Sequence, residues 1–95
     1  MLKAVAVFEN SPDIGISQED INSLHKFICS EQDLRENVAK IELDVGSESE
    51  VFVKLHMRPR LKEGARSFVW KHLGGNNLWT KQNGTTIKLV RIHEM

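Results

Sequence analysis

Apolar side chains run without a break from Ala4 to Phe8. Residues of this kind on both faces mark a strand flanked on both sides. A first strand is expected over Leu2 to Phe8, ended by Asn10-Ser11-Pro12-Asp13. Ser17, followed by Glu19 and Asp20, then marks a helix start, where a hydroxyl caps free amides and early carboxylates suit the positive end of the dipole. Ile21, Leu24, His25 and Ile28 follow at helical spacing, so the helix should run to about Ser30. Ser30 to Asp33 offers a cap for a second short turn carrying Leu34 and Val38.

The period changes to two at Ala39, where Ala39, Ile41, Leu43 and Val45 alternate with Lys40, Glu42 and Asp44. After the turn Gly46-Ser47-Glu48-Ser49, Val51, Val53, Leu55 and Met57 line one face of a return strand. Phe52, Lys54, His56 and Arg58 line the other, and the two runs form a hairpin. Pro59 to Leu73 fits two patterns. Leu61, Ala65, Phe68, Val69, His72 and Leu73 share a helical stripe, whereas Phe68-Val69-Trp70 also suits a strand. Pro59 and Gly74 at its ends favour helix, against the cost of Gly64 inside it. Gly74-Gly75-Asn76-Asn77 reads as a loop. Asn83-Gly84, between Leu78 to Gln82 and Thr85 to Ile92, is a hairpin signal.

These elements predict an α+β fold over residues 1–95, one domain, in the order β-α-β-β-α-β-β. A mainly antiparallel sheet with helices on one face is expected, in ferredoxin-like (split βαβ) order plus a C-terminal hairpin. If Pro59 to Leu73 is a strand, the alternative is one helix on an antiparallel meander. Ninety-five residues, 40% of them apolar, suffice for one core. The apolar runs are far too short to cross a membrane, and no signal-peptide pattern opens the chain. The single cysteine, Cys29, leaves no internal disulfide or multi-cysteine zinc site. A cytoplasmic, non-membrane protein is expected.

Charge alters this picture most. Residues 1–50 hold 4 Lys/Arg against 11 Asp/Glu, or −7, and residues 51–95 hold 9 against 2, or +7. Such asymmetry points to a polyanion partner. The competing explanation is that acidic and basic elements lie side by side and neutralise each other.

Catalytic chemistry finds little support. Cys29 lies four residues after His25 on one helix face, but a lone helical cysteine is usually a small packing residue. His25, His56, His72 and His93 show no metal-ligand spacing. His56 with His72 or His93, beside Lys54, Lys71 or Arg91, would have the groups for metal-independent RNA cleavage if folding gathered them. Gly74-Gly75 lacks the pattern of a phosphate loop, and no cofactor or metal is implied.

The basic half also carries the aromatic candidates. Phe52 stands beside Lys54 and His56 on a strand face, and Trp70 stands between Arg66 and Lys71, opposite Leu61 if the segment is helical. Aromatic stacking with phosphate neutralisation is the chemistry of nucleic-acid binding. Candidate contacts are Phe52, Lys54, His56, Arg58, Arg60, Lys62, Arg66, Trp70 and Lys71. The segment around Phe52 lacks the glycine and aromatic pattern of the RNA-recognition motif. The expected function is a small, non-enzymatic regulatory module that binds RNA or DNA, as monomer or homodimer. Two alternatives are a protein-interaction module (an inhibitor or adaptor, self-associating or not) and a small metal-independent ribonuclease. The acidic run Glu31, Asp33 and Glu36 could meet a basic protein or mimic nucleic acid, or simply form a solvated helix face.

Overall fold

The structure, a computed structural model, describes residues 2–75 and 78–94. Its elements are β1 (Lys3–Glu9), α1 (Gln18–Ser30), α2 (Gln32–Asn37), β2 (Val38–Ser47), β3 (Glu50–Met57), α3 (Ala65–Leu73), α4 (Leu78–Asn83) and β4 (Lys88–Glu94). The fold is α+β. Its four strands form one sheet in the order β2-β3-β1-β4, and each neighbouring pair is antiparallel. β1 and β2 therefore run the same way with β3 between them, and β3 and β4 run the same way with β1 between them.

Alternation decides the two faces. Val51, Val53, Leu55 and Met57 of β3 are buried with Ala4, Ala6 and Phe8 of β1. The same core cluster takes in Leu24 and Ile28 of α1, Leu34 of α2, Ala65, Phe68, Val69 and Leu73 of α3, and Trp79 of α4. The helices thus cover one face of the sheet, burying apolar side chains worth about 1.5–3 kcal/mol each. Trp79 packs edge-on to Phe8, ring centroids 6.3 Å apart, and donates its indole N–H to Ser23 Oγ at 3.0 Å. A buried indole needs such an acceptor.

The expected start of α1 is present as a capping box. The Ser17 hydroxyl accepts from the Asp20 N–H, and the Asp20 carboxylate accepts from the Ser17 N–H. The second short helix also forms. Its cap is Glu31, whose carboxylate accepts from the Leu34 N–H at 2.9 Å.

Pro59 to Leu73 is helical only from Ala65, which removes the alternative of a meander with one helix. Gly64 is the N-cap, so its helix-interior cost does not arise. Leu61 lies before the helix and sets no face of it. The predicted C-terminal hairpin is corrected: Leu78–Asn83 is helix α4, and only β4 follows. Gly84 has φ +59°, the left-handed conformation that ends helices. Asn-Gly serves this role as well as it serves a two-residue hairpin turn, and Trp79 at the core gives the helical choice its packing. Of the predicted loop Gly74 to Asn77, Asn76 and Asn77 lie outside the described residues.

Because Gly64 has no side chain to cap α3, the chain supplies one from elsewhere. Glu94 Oε1 of β4 accepts from the Arg66 N–H at 2.7 Å. Replacing Glu94 with Ala should therefore cost about 1 kcal/mol, a fall of about 4–8 °C in Tm, with Glu94→Gln milder because it keeps an acceptor. Thermal unfolding of the two variants checks this, and an unchanged Tm in Glu94→Ala would remove the cap.

Candidate nucleic-acid interface

The candidate contacts fall on three separate surfaces. Phe52, Lys54 and His56 point to the face of the sheet away from the helices. There they neighbour Lys40, Glu42 and Asp44 of β2 and Lys3, Val5 and Val7 of β1. Arg58, Arg60 and Lys62 lie in the connection from β3 to α3 and are exposed. Arg66, Trp70 and Lys71 lie on α3.

On the open sheet face Lys54, His56 and Arg91 are engaged by acids. Lys54 Nζ is 3.1 Å from Asp44, and His56 Nε2 is 3.7 Å from Glu42. Arg91 of β4 reaches Glu9 at 3.1 Å and Glu50 at 3.4 Å, so its guanidinium crosses β1. Val7, between Phe52 and Arg91 in register, is fully buried although it lies on this open face. The ring of Phe52 lies over Gly46, where an added Cβ would stand 2.5 Å from Cε2. Phe52 is thus half-buried beside Asp44, not free among cations.

The Glu42 carboxyl is held below its ordinary value of 4.5. The Lys40 ammonium, hydrogen-bonded to it and adding its own charge, is the larger cause and His56 the smaller one. A carboxyl lowered in the folded state stabilises the fold above its unfolded value, and that contribution is lost as pH falls through the lowered value. In a Lys40→Ala variant, NMR titration should find Glu42 moved up toward 4.5, with less loss of stability on acidification. A Glu42 titration unmoved by the substitution would contradict this assignment.

Along α3, Lys71 pairs with Glu63 at 3.4 Å. Trp70 is half-buried, its ring against Gly74, where a Cβ would fall 2.2 Å from Cε3. The indole borders a cleft with Ile87, Lys88 and Leu89. It is neither a core residue nor a free platform.

The histidines do not converge. His56 on β3 and His93 on β4 share the open face with β1 between them, whereas His72 lies on α3 across the sheet. His72 packs against Phe68 with the rings tilted by 51°, its Nδ1 3.7 Å from Glu31 and its Nε2 4.0 Å from Asp33. Among the described residues, this is the group with enough histidine and carboxylate ligands, within 4.8 Å of one another, to hold a metal ion. Opposite ring nitrogens face the two carboxylates, however. That geometry suits an imidazole held between two acids rather than coordination through one nitrogen. Sequence spacing could not find this group, since its members come from α2 and α3.

Arg58, Arg60, Lys62 and Arg66 form no side-chain ion pair among the described residues. Nearby, a cleft of about 240 Å³ is lined by His25, Arg35, Lys40 and Arg58, with Cys29 beside them. Cys29 Sγ is 3.8 Å from His25 Nδ1. His25 was visible in the sequence as the partner of Cys29 one helical turn away, whereas Arg35 and Lys40 lie in the acidic half of the chain, where no local pattern marks them. No protein-family model matches the chain, and no match was found among curated proteins or solved structures.

Proposed function

We propose that the chain is a single-domain, non-enzymatic module of ferredoxin-like (split βαβ) order that binds RNA or DNA inside the cell and regulates it. The observation that carries this reading is the exposed run Arg58, Arg60, Lys62 and Arg66, which has no ion-pair partner among the described residues. Four cations within nine residues repel one another, and a polyphosphate strand offsets that repulsion while releasing its counterions. The sheet-face candidates Lys54 and His56, and Lys71 on α3, contribute less, because binding a phosphate would first break their existing pairs. Trp70 supports the reading through its half-exposed indole beside Lys88, a wall on which a base can stack.

A second reading is a self-associating interaction module. It draws on the free edge of β2, where Val45 is 64% exposed. A concentration-dependent dimer in sedimentation, with no oligonucleotide binding at low salt, would select it.

The test is fluorescence anisotropy with labelled single-stranded and duplex RNA and DNA across a salt series. Binding should weaken steeply as salt rises. The Arg58→Ala/Arg60→Ala/Arg66→Ala variant should lose about tenfold or more in affinity and show a shallower salt slope. Equal affinity in the variant and the parent would refute the assignment.

A further inference from the structure

The cleft between α1, α2 and the end of β3 gathers basic side chains from four parts of the chain. Arg35 comes from α2, Arg58 from the connection that follows β3 and His25 from α1, with the start of β2 at Lys40 closing one side. No carboxylate lines it. Arg35 and Arg58 have no ion pair among the described residues, and the acid on Lys40, Glu42 at 3.0 Å, lies outside the lining. The backbones carrying the two arginines are fixed, since the Arg35 N–H donates to Glu31 O at 2.9 Å and the Arg58 N–H to Asn37 O at 2.8 Å. The floor is apolar, with Ile28, Val38 and Ile41.

We propose that this cleft binds a phosphoryl group, and specifically a terminal phosphate monoester, at the end of a nucleic-acid strand or on a free nucleotide. Guanidinium forks match phosphate oxygens in pairs, which a single ammonium cannot do. The choice of a terminal group follows from charge. A monoester carries about −1.5 to −2 near neutral pH, whereas each backbone diester carries one negative charge. Two unpaired guanidiniums, Arg35 and Arg58, with the His25 imidazole favour the more highly charged group. Arg58 belongs both to the cleft and to the exposed run through Arg66, so a strand held by its end here would continue over Arg60 and Lys62. In that respect the inference rests on the nucleic-acid reading, although the cleft can take a free nucleotide without it.

Cys29, exposed in this cleft and the only cysteine of the chain, supplies the probe. The rate of its alkylation by iodoacetamide is measured in the full chain alone and with three additions. These are a 5′-phosphorylated single-stranded oligonucleotide, the same strand with a 5′-hydroxyl, and a nucleoside 5′-monophosphate. Oligonucleotide binding is followed in parallel by anisotropy. The phosphorylated strand should slow alkylation several-fold and the hydroxyl strand should not. Protection by the monophosphate as well identifies the free nucleotide as a second source of the same group.

In Arg35→Ala, shown to be folded by circular dichroism, the ratio of rates with and without ligand should return close to one. Using the ratio removes any change in the thiol's own reactivity. Equal protection by both strands, or protection that survives Arg35→Ala, overturns the proposal. If the strands bind yet alkylation is unaffected by any addition, the cleft assignment fails and the nucleic-acid reading stands. If no strand binds but the monophosphate protects Cys29, the nucleic-acid reading fails and the cleft stands.

Discussion

Each hydrogen-bonded ladder of the sheet joins a strand from the acidic half of the chain to one from the basic half. β2 pairs with β3, β3 with β1, and β1 with β4. With the exception of Glu50 at the start of β3, the rule follows directly from the strand order. It places Asp44 against Lys54, Glu42 against His56 and Glu9 against Arg91. Exposed pairs of this kind contribute about 0–1 kcal/mol each. Their larger effect here is on what is left over. A charge asymmetry that looks like a binding surface along the sequence is cancelled in part across the sheet, where Lys54 and Arg91 meet acids, whereas Arg58, Arg60, Lys62 and Arg66 lie outside the ladders and escape it.

The escapees follow from topology as well. The connection from β3 to α3 leaves the sheet before α3 begins, so Arg58, Arg60 and Lys62 have no strand beside them to supply acids. Arg66 sits in the first turn of α3, where its own N–H is satisfied by Glu94 while its guanidinium stays free. The end of β3 also passes close to α1 and α2, which brings Arg58 into one cleft with Arg35 and Lys40. One connection therefore brings Arg58, an unpaired cation of the basic half, to the same cleft as Arg35, an unpaired cation of the acidic half.

Much of the fold was legible because its signals were local. The apolar run of β1, the alternation of β2 and β3, and the Ser17 cap each specify one element without reference to the rest. Two signals were ambiguous for identifiable reasons. Asn-Gly at 83–84 suits both a hairpin turn and a helix end, and what separates them is the burial of Trp79, a tertiary fact. Gly64 argues against a helix that starts at Pro59 but not against one that starts at Ala65, where it is the N-cap. The site was less legible. Lys54 and His56 share a face with Phe52 as their alternation implies, but nothing local shows that Asp44 and Glu42 stand beside them. Trp70 was assigned an outward face by reference to Leu61, which lies outside the helix. Arg35 and Lys40 carry no signal until α2 and β2 are packed beside β3.

On the nucleic-acid reading proposed above, anions meet the protein at the β3–α3 connection and its adjoining cleft, because Lys54, His56 and Arg91 on the open sheet face are already paired. Mapping amide chemical shifts of the labelled protein on addition of a single-stranded oligonucleotide tests this residue by residue. On this reading shifts are expected at 58–66 and around Arg35 and Lys40, with β1 and the middle of β3 unmoved. Shifts centred on Phe52, Lys54 and His56, with the connection silent, would contradict it.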